Sequence, residues 1–223
     1  MLLYHGSNII LDKPVYGKGK PYNDYGRGLY CTEDIDLARE WAVDEDRDGF
    51  VNRYELDING LKVIDLNSGS YCILHWITVL LVNRRFELTT PLALESSRYL
   101  TENFSVDVSS SDIIKGFRAD DSYFSYAQDF INGVISVSQL NKAMHLGNLG
   151  EQIMIRSRKA FAALEFNGFE EAAAGEWYAG KLKRDRLARE AYFAMNKDGY
   201  VKGDLYMPRI IDEEIKGDDP RLQ

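Results

Sequence analysis

Tyr4 ends a first short apolar strand from Leu2, and the His5-Gly6-Ser7 that follow it suit a ligand that carries an amide and sugar hydroxyls. Glycine lets such a ligand approach the backbone, whose N–H and C=O pair with an amide, while His5 and Ser7 offer side-chain hydrogen bonds to hydroxyls. A second candidate is Tyr25-Gly26-Arg27-Gly28-Leu29-Tyr30, in which two glycines free the backbone ahead of a helix, a setting that suits phosphate. Trp41 follows on that helix and adds a flat aromatic face. Each piece also has an ordinary reading, as a strand end, a plain turn and a core aromatic.

Residues 44–55, DEDRDGFVNRYE, satisfy the ligand pattern of a calcium-binding EF-hand loop. Such a loop needs a helix on each side. A helix precedes it, with Thr32 as its cap, Glu33, Asp34 and Asp36 in its first turn and Ile35, Leu37, Ala38, Trp41 and Ala42 at near-helical spacing. Beyond Gly49, Val51, Tyr54, Leu56 and Ile58 alternate with polar residues, and Asn59-Gly60 precedes Leu61, Val63, Ile64 and Leu66, which predicts a strand, a tight turn and a strand. The one echo, NKDGYVKGDLYM from Asn196, lacks the first acidic ligand and the terminal Glu. The expected reading is an acidic solvated hairpin loop, with no metal site.

The elements that must position these residues fit a chain of 223 residues, 45% hydrophobic and 12% aromatic, long enough for one large core. A net charge of −8 argues against general affinity for nucleic acid or anionic membranes. Cys31 and Cys72 are too few for a disulfide framework or a zinc pattern and are expected to be small core residues. No charged leader with an apolar run opens the sequence, and the longest apolar stretch, ILHWITVLLV from Ile73, is too short to span a bilayer, so a soluble cytoplasmic protein is expected.

Periodicity predicts a helix from about Tyr71 to Val82, a buried strand at SDIIKGF, a helix capped by Asp120 and stopped near Gly133, and another from Ser136 through Met144, ending at Gly147. EQIMIRS reads as a strand, and Ser157 as the start of a helix RKAFAALEF. Residues 85–111 carry no clear period. The stretch from about Glu170 to Met195 is helical in pattern, with its basic KLKRDR facing solvent. Unequal helices between scattered strands indicate an α+β fold.

YHGS, then YGRGLYCT, then a helix with an aromatic some eleven residues after Tyr30, together resemble the NAD-binding half of the ADP-ribosyltransferase superfamily, in its poly(ADP-ribose) polymerase and diphtheria-toxin-like branch. SDIIKGFRADDSYF, FINGVISVSQL and LGEQIMIRSRKAFAALEF are similar to an uncharacterised bacterial branch, the domain-of-unknown-function 3990 family. The resemblance covers roughly residues 2–170. It implies two facing, mostly antiparallel sheets flanked by helices over residues 1–170, with 171–223 as a C-terminal helical extension packed on them.

By that resemblance His5 bonds the adenosine ribose, the Gly6 backbone holds the nicotinamide carboxamide with support from Ser7, and Tyr30 and Trp41 sandwich the nicotinamide ring. A late-strand Glu of the family, which bonds the ribose 2′-hydroxyl and stabilises developing positive charge, corresponds here to Gln152, with Glu151 as the alternative. Adjacent strand residues face opposite sides, so one of the two enters a cleft. Glutamine holds the hydroxyl without the charge, a loss on the order of 2 to 4 kcal/mol at a developing cation. The implied activity is mono-ADP-ribosyl transfer from NAD to a macromolecular acceptor, expected to be a protein, as a bacterial toxin with a possible antitoxin partner. The alternative is an NAD or ADP-ribose binding module with weak or no turnover. An interaction protein using its acidic loop and basic helix is the third.

Overall fold

Strand pairing sorts the apolar residues into two sheets. The protein is described by a computed structural model over residues 1–119, 121–146, 150–197 and 199–222. Its elements are β1 (Leu2–Ser7), β2 (Leu29–Cys31), α1 (Ile35–Ala42), β3 (Gly49–Leu56), β4 (Val63–Asp65), α2 (Ile73–Asn83), α3 (Pro91–Asn103), β5 (Ile113–Phe117), α4 (Asp121–Ile131), α5 (Val137–Met144), β6 (Glu151–Ile155), α6 (Arg158–Ala162), β7 (Leu164–Ala172), α7 (Ala174–Lys197) and α8 (Met207–Asp212). One sheet has the order β1-β3-β7 and is antiparallel throughout. The other runs β2-β6-β5-β4, antiparallel except for the parallel β4–β5 pair. The architecture is α+β, as the scatter of strands among helices predicts.

Leu3 and Tyr54 of one sheet share a buried cluster with Leu29, Cys31, Ile113, Ile153 and Ile155 of the other, so the two sheets close on each other's apolar faces. A larger cluster gathers Trp76, Ile77 and Leu80 of α2, Leu100 of α3 and Phe130 of α4 on the far side of the second sheet, where Ile114 and Met154 meet them. Burying each such aliphatic side chain contributes about 1.5–3 kcal/mol, so this helical layer is a principal source of stability. Tyr192 of α7 and Met207 and Ile210 of α8 belong to the same cluster.

Helix α1 lies directly against β1 and β3, and two glycines permit it. A Cβ on Gly6 would collide with the Ala38 carbonyl oxygen, and one on Gly49 with that of Ala42. The Gly at the sixth place of the calcium-like motif therefore serves helix–strand packing, while the preceding Asp48 accepts a hydrogen bond from the Ala174 N–H (2.7 Å) where α7 begins.

Several expected boundaries are corrected. Asp34, not Thr32, caps α1: its Oδ1 accepts from the N–H of Asp36 (2.9 Å) and of Leu37 (3.2 Å), while Thr32 Oγ1 accepts from Asp34 N–H. The strands flanking Asn59-Gly60 do not form a hairpin, because β3 pairs with β1 and β7 whereas β4 crosses to the other sheet and pairs with β5. The helix opened by Ser157 lasts only from Arg158 to Ala162. LEFNGFEEA then runs as β7, its apolar Leu164 and Phe166 alternating with Glu165 and Asn167. Within 85–111, Thr90 caps α3 through its Oγ1 (3.1 Å to Ala93 N) with Pro91 at the first helical position. Cys31 is buried as expected, whereas Cys72 is half-buried and precedes α2 as its cap. The expected cap at Asp120 and helix end at Gly147 lie outside the described residues.

Candidate functional site

Ahead of β2 the chain makes a long irregular excursion, and the space between it, β1, α1, β6 and α7 is a cavity of about 840 Å³. His5 and Gly6 line it from β1, Tyr30 from β2, Trp41 from α1 and Gln152 from β6. Ser7 does not line it. Its hydroxyl donates to the Ile9 carbonyl (2.6 Å) and accepts from Asn52 Nδ2 (3.1 Å), so it braces the start of the excursion. Glu151 points to the other face of β6, where it pairs with Lys115 (2.7 Å) and accepts from Asn67 Nδ2 (2.7 Å).

The His5 ring is oriented by its backbone neighbour. Nδ1 lies 2.7 Å from the Tyr30 carbonyl oxygen, which only accepts, so Nδ1 carries the proton and Nε2 is left as an acceptor. Burial lowers the imidazole pKa below its ordinary value, against the smaller opposing effect of this bond, and the ring is neutral at pH 7. The Tyr30 hydroxyl donates to the Gly26 carbonyl (2.7 Å) and accepts from the Tyr25 N–H (3.0 Å), tying the ring to the glycine turn that precedes it. Gly26 takes φ +83°, a left-handed conformation that favours glycine, and so fixes that turn. Trp41 holds a buried indole N–H with no hydrogen-bond partner among the described residues, and the Arg118 guanidinium lies 4.9 Å from its ring centre.

Gln152 is nearly fully buried beneath the cavity. Its Nε2 donates to Asp24 Oδ2 (2.7 Å) and to the Phe117 carbonyl (3.1 Å). Asp24 is itself buried and lines the cavity. Arg84 Nη1 donates to its Oδ1 (2.7 Å) and the Ala119 N–H to its Oδ2 (2.8 Å). Burial raises the carboxyl pKa above its ordinary value, opposed by those bonds and by the charges of Arg84 and Arg118. Sequence reasoning missed Asp24, because an Asn-Asp pair before Tyr-Gly reads as a turn.

Contrary to the expectation that KLKRDR faces solvent, Lys181, Arg184 and Asp185 of α7 turn inward and line the cavity with Arg189; Lys183 and Arg186 are exposed. Arg184 pairs with Glu40 of α1, and Lys181 Nζ donates to the Val43 carbonyl (3.3 Å), which holds α7 over the site. Burial, with Arg118 nearby, lowers the Lys181 pKa. Lys18 and Lys20 also line the cavity, so basic side chains outnumber the carboxylates of Asp24 and Asp185 around it. Among the described residues, no group of His, Cys, Asp and Glu is placed to hold a metal ion.

A family profile described as "Protein of unknown function (DUF3990)" matches residues 1–166. The chain belongs to this family. No curated protein and no solved structure matches the chain. The DUF3990 match contains every lining residue from β1 to Phe161, including Asp24, Arg84 and Gln152, while the α7 residues lie beyond it.

Proposed function

We propose that this DUF3990 protein has an ADP-ribosyltransferase fold and is a mono-ADP-ribosyltransferase, which cleaves NAD at the nicotinamide–ribose bond and passes ADP-ribose to a macromolecular acceptor. The observation that carries the reading is the meeting of His5, Gly6, Tyr30, Trp41 and Gln152, distant in sequence, around one cavity. Its volume of about 840 Å³ lies within the range of small-molecule sites, and its basic rim suits a diphosphate. The Trp41 N–H, without a hydrogen-bond partner among the described residues, and the acceptor Nε2 of His5 are further polar groups that a nucleotide would satisfy.

In transfer from bound NAD, the electron pair of the broken bond goes to the nicotinamide nitrogen, and the ribose C1′ bonds to a nucleophilic acceptor atom that releases a proton. Tyr30 and Trp41 would flank the nicotinamide ring, His5 Nε2 would accept from the adenosine ribose, and the Gly6 backbone would pair with the carboxamide. Gln152 would accept from the nicotinamide ribose 2′-hydroxyl. A role as a bacterial toxin held by an antitoxin belongs to the same reading.

Free nicotinamide measured over time with NAD tests it. The parent is expected to release nicotinamide, and Tyr30→Ala and Gln152→Ala to lower the rate by about a hundredfold, in keeping with the loss of one well-placed transition-state contact. Release that is equal in parent and both variants, or absent from all three along with NAD binding, would end the assignment. Binding without release would favour the second reading, an NAD or ADP-ribose binding module, which the neutral Gln152 favours.

A further inference from the structure

Asp24 has no part in the roles just given, yet it is a carboxylate with 5% of its surface exposed in the wall of the cavity. What it does follows from the chemistry of its partner. A carboxamide turned by half a revolution exchanges its donor end for its acceptor end at little intrinsic cost, so a glutamine alone presents no fixed polarity to a ligand. Gln152 is not alone. Both protons of its Nε2 meet acceptors, Asp24 Oδ2 and the Phe117 carbonyl. The reversed amide would set Oε1 against those two oxygens, with no proton between them.

Both acceptors are themselves immobilised. Arg84 and the Ala119 N–H hold Asp24, and the Tyr25 hydroxyl and Trp76 Nε1 (3.1 Å) donate to the Phe117 carbonyl. With its two N–H groups spent, the polar atom that Gln152 retains for the cavity is Oε1, an acceptor. We propose that Asp24 is the positioning residue of this site: it locks the Gln152 carboxamide so that Oε1 is presented, as a hydrogen-bond acceptor, to a hydroxyl of the bound ligand. The lock exists without a ligand; only the identity of the hydroxyl rests on the NAD reading.

The lock also accounts for glutamine at this position. A carboxylate at 152 would stand within hydrogen-bond distance of Asp24, and two carboxylates so placed cannot both ionise without a proton between them. Asp24 requires a donor as its neighbour, and glutamine supplies one while keeping an acceptor for the ligand. The other charged or titratable groups that act on Asp24 are Arg84, Arg118, Tyr25 and Tyr30.

Two ligand-free measurements test the lock. In the uniformly ¹⁵N-labelled parent, the Gln152 side-chain protons are expected to exchange slowly with solvent. Asp24→Asn, which puts a donor in the cluster, should speed that exchange about tenfold, as loss of one such bond implies, while the Asn52 side chain, bonded elsewhere, stays unchanged. In Gln152→Glu, ¹³C detection of the carboxyls should show one proton shared between Asp24 and the introduced carboxyl and retained into the neutral range. Adding Asp24→Asn to Gln152→Glu should return the introduced carboxyl to an ordinary carboxylate titration. A parent Gln152 amide in fast exchange, or an introduced carboxyl that titrates normally beside Asp24, would overturn the proposal. Calorimetry with NAD separates the two claims. If the lock is measured but the parent does not bind NAD, the ligand assignment falls and the lock stands; if the parent binds and Asp24→Asn binds equally, the positioning role is lost. The expected result is binding about tenfold weaker in Asp24→Asn.

Discussion

At the scale of single residues the site is a set of oriented acceptors. The Tyr30 carbonyl fixes the tautomer of His5, and Asp24 with the Phe117 carbonyl fixes the amide of Gln152. The His5 assignment carries a pH dependence. Burial depresses its pKa below 6.5, so the folded ring stays neutral where a free histidine would begin to protonate. An unfolded chain binds that proton first, and the stability due to the neutral ring is present above pH 6.5 and lost as pH falls through the folded value. Protonation also turns Nε2 into a donor. Calorimetric NAD affinity is expected to be level from pH 8 to 7 and to fall well below pH 6.5, with the fall abolished in His5→Gln; an affinity that rises on acidification would contradict the assignment. His5, Tyr30 and Trp41 stand in local frames that the sequence displays, whereas Gln152 was singled out over Glu151 only by the family resemblance; all four line the cavity. Asp24 was not legible in the sequence, since its burial arises from Arg84, Ala119 and Gln152, more than fifty positions away.

At the scale of elements, close packing of α1 on β1 and β3 brings Trp41 to the cavity on the same wall as His5. Gly6→Ala forces the helix off the strand, because the added methyl meets backbone rather than a side chain that could turn away. A loss of about 3 kcal/mol or more is expected in denaturant unfolding, at or above the upper end for overpacking; a change below about 0.5 kcal/mol would show that α1 tolerates displacement. The basic face of α7 is the other wall. Lys181→Ala is expected to weaken NAD by about tenfold and leave nicotinamide riboside, which lacks the diphosphate, unaffected, a contrast that calorimetry reads directly. Equal losses for both ligands would place Lys181 away from the phosphates. Sequence pattern located most helices and strands here, since caps and periodicity are local signals. It failed where the partner decides: LEFNGFEEA became a strand by pairing with β3, and Lys181 and Arg184 of KLKRDR turned inward because α1 and its C-cap offered Glu40 and the Val43 carbonyl.

At the scale of the molecule, an acidic chain surrounds a basic cavity rim. The net charge of −8 repels polyanions in general, while the local cations attract a small anion that fits among them. Among the described residues no helix is long and apolar enough to cross a membrane. The family match ends at residue 166, inside β7, and the residues after it supply α7, α8 and part of the largest core cluster. A chain ended at residue 166 is therefore expected to lose cooperative thermal unfolding, monitored by near-ultraviolet circular dichroism; a sharp transition with native signal would show that the remaining core suffices.

Because α7 closes the cavity and follows every other residue that lines it, the order of synthesis has a consequence. Protein is made from the N-terminus, and the strands bearing His5, Tyr30 and Gln152 leave the ribosome before Lys181 and Arg189 do. The complete binding surface, with Lys181 and Arg184 in it, therefore first exists only once α7 has been made. Binding of the ligand is thereby tied to completion of the chain through α7, since the residues made earlier hold only part of the lining.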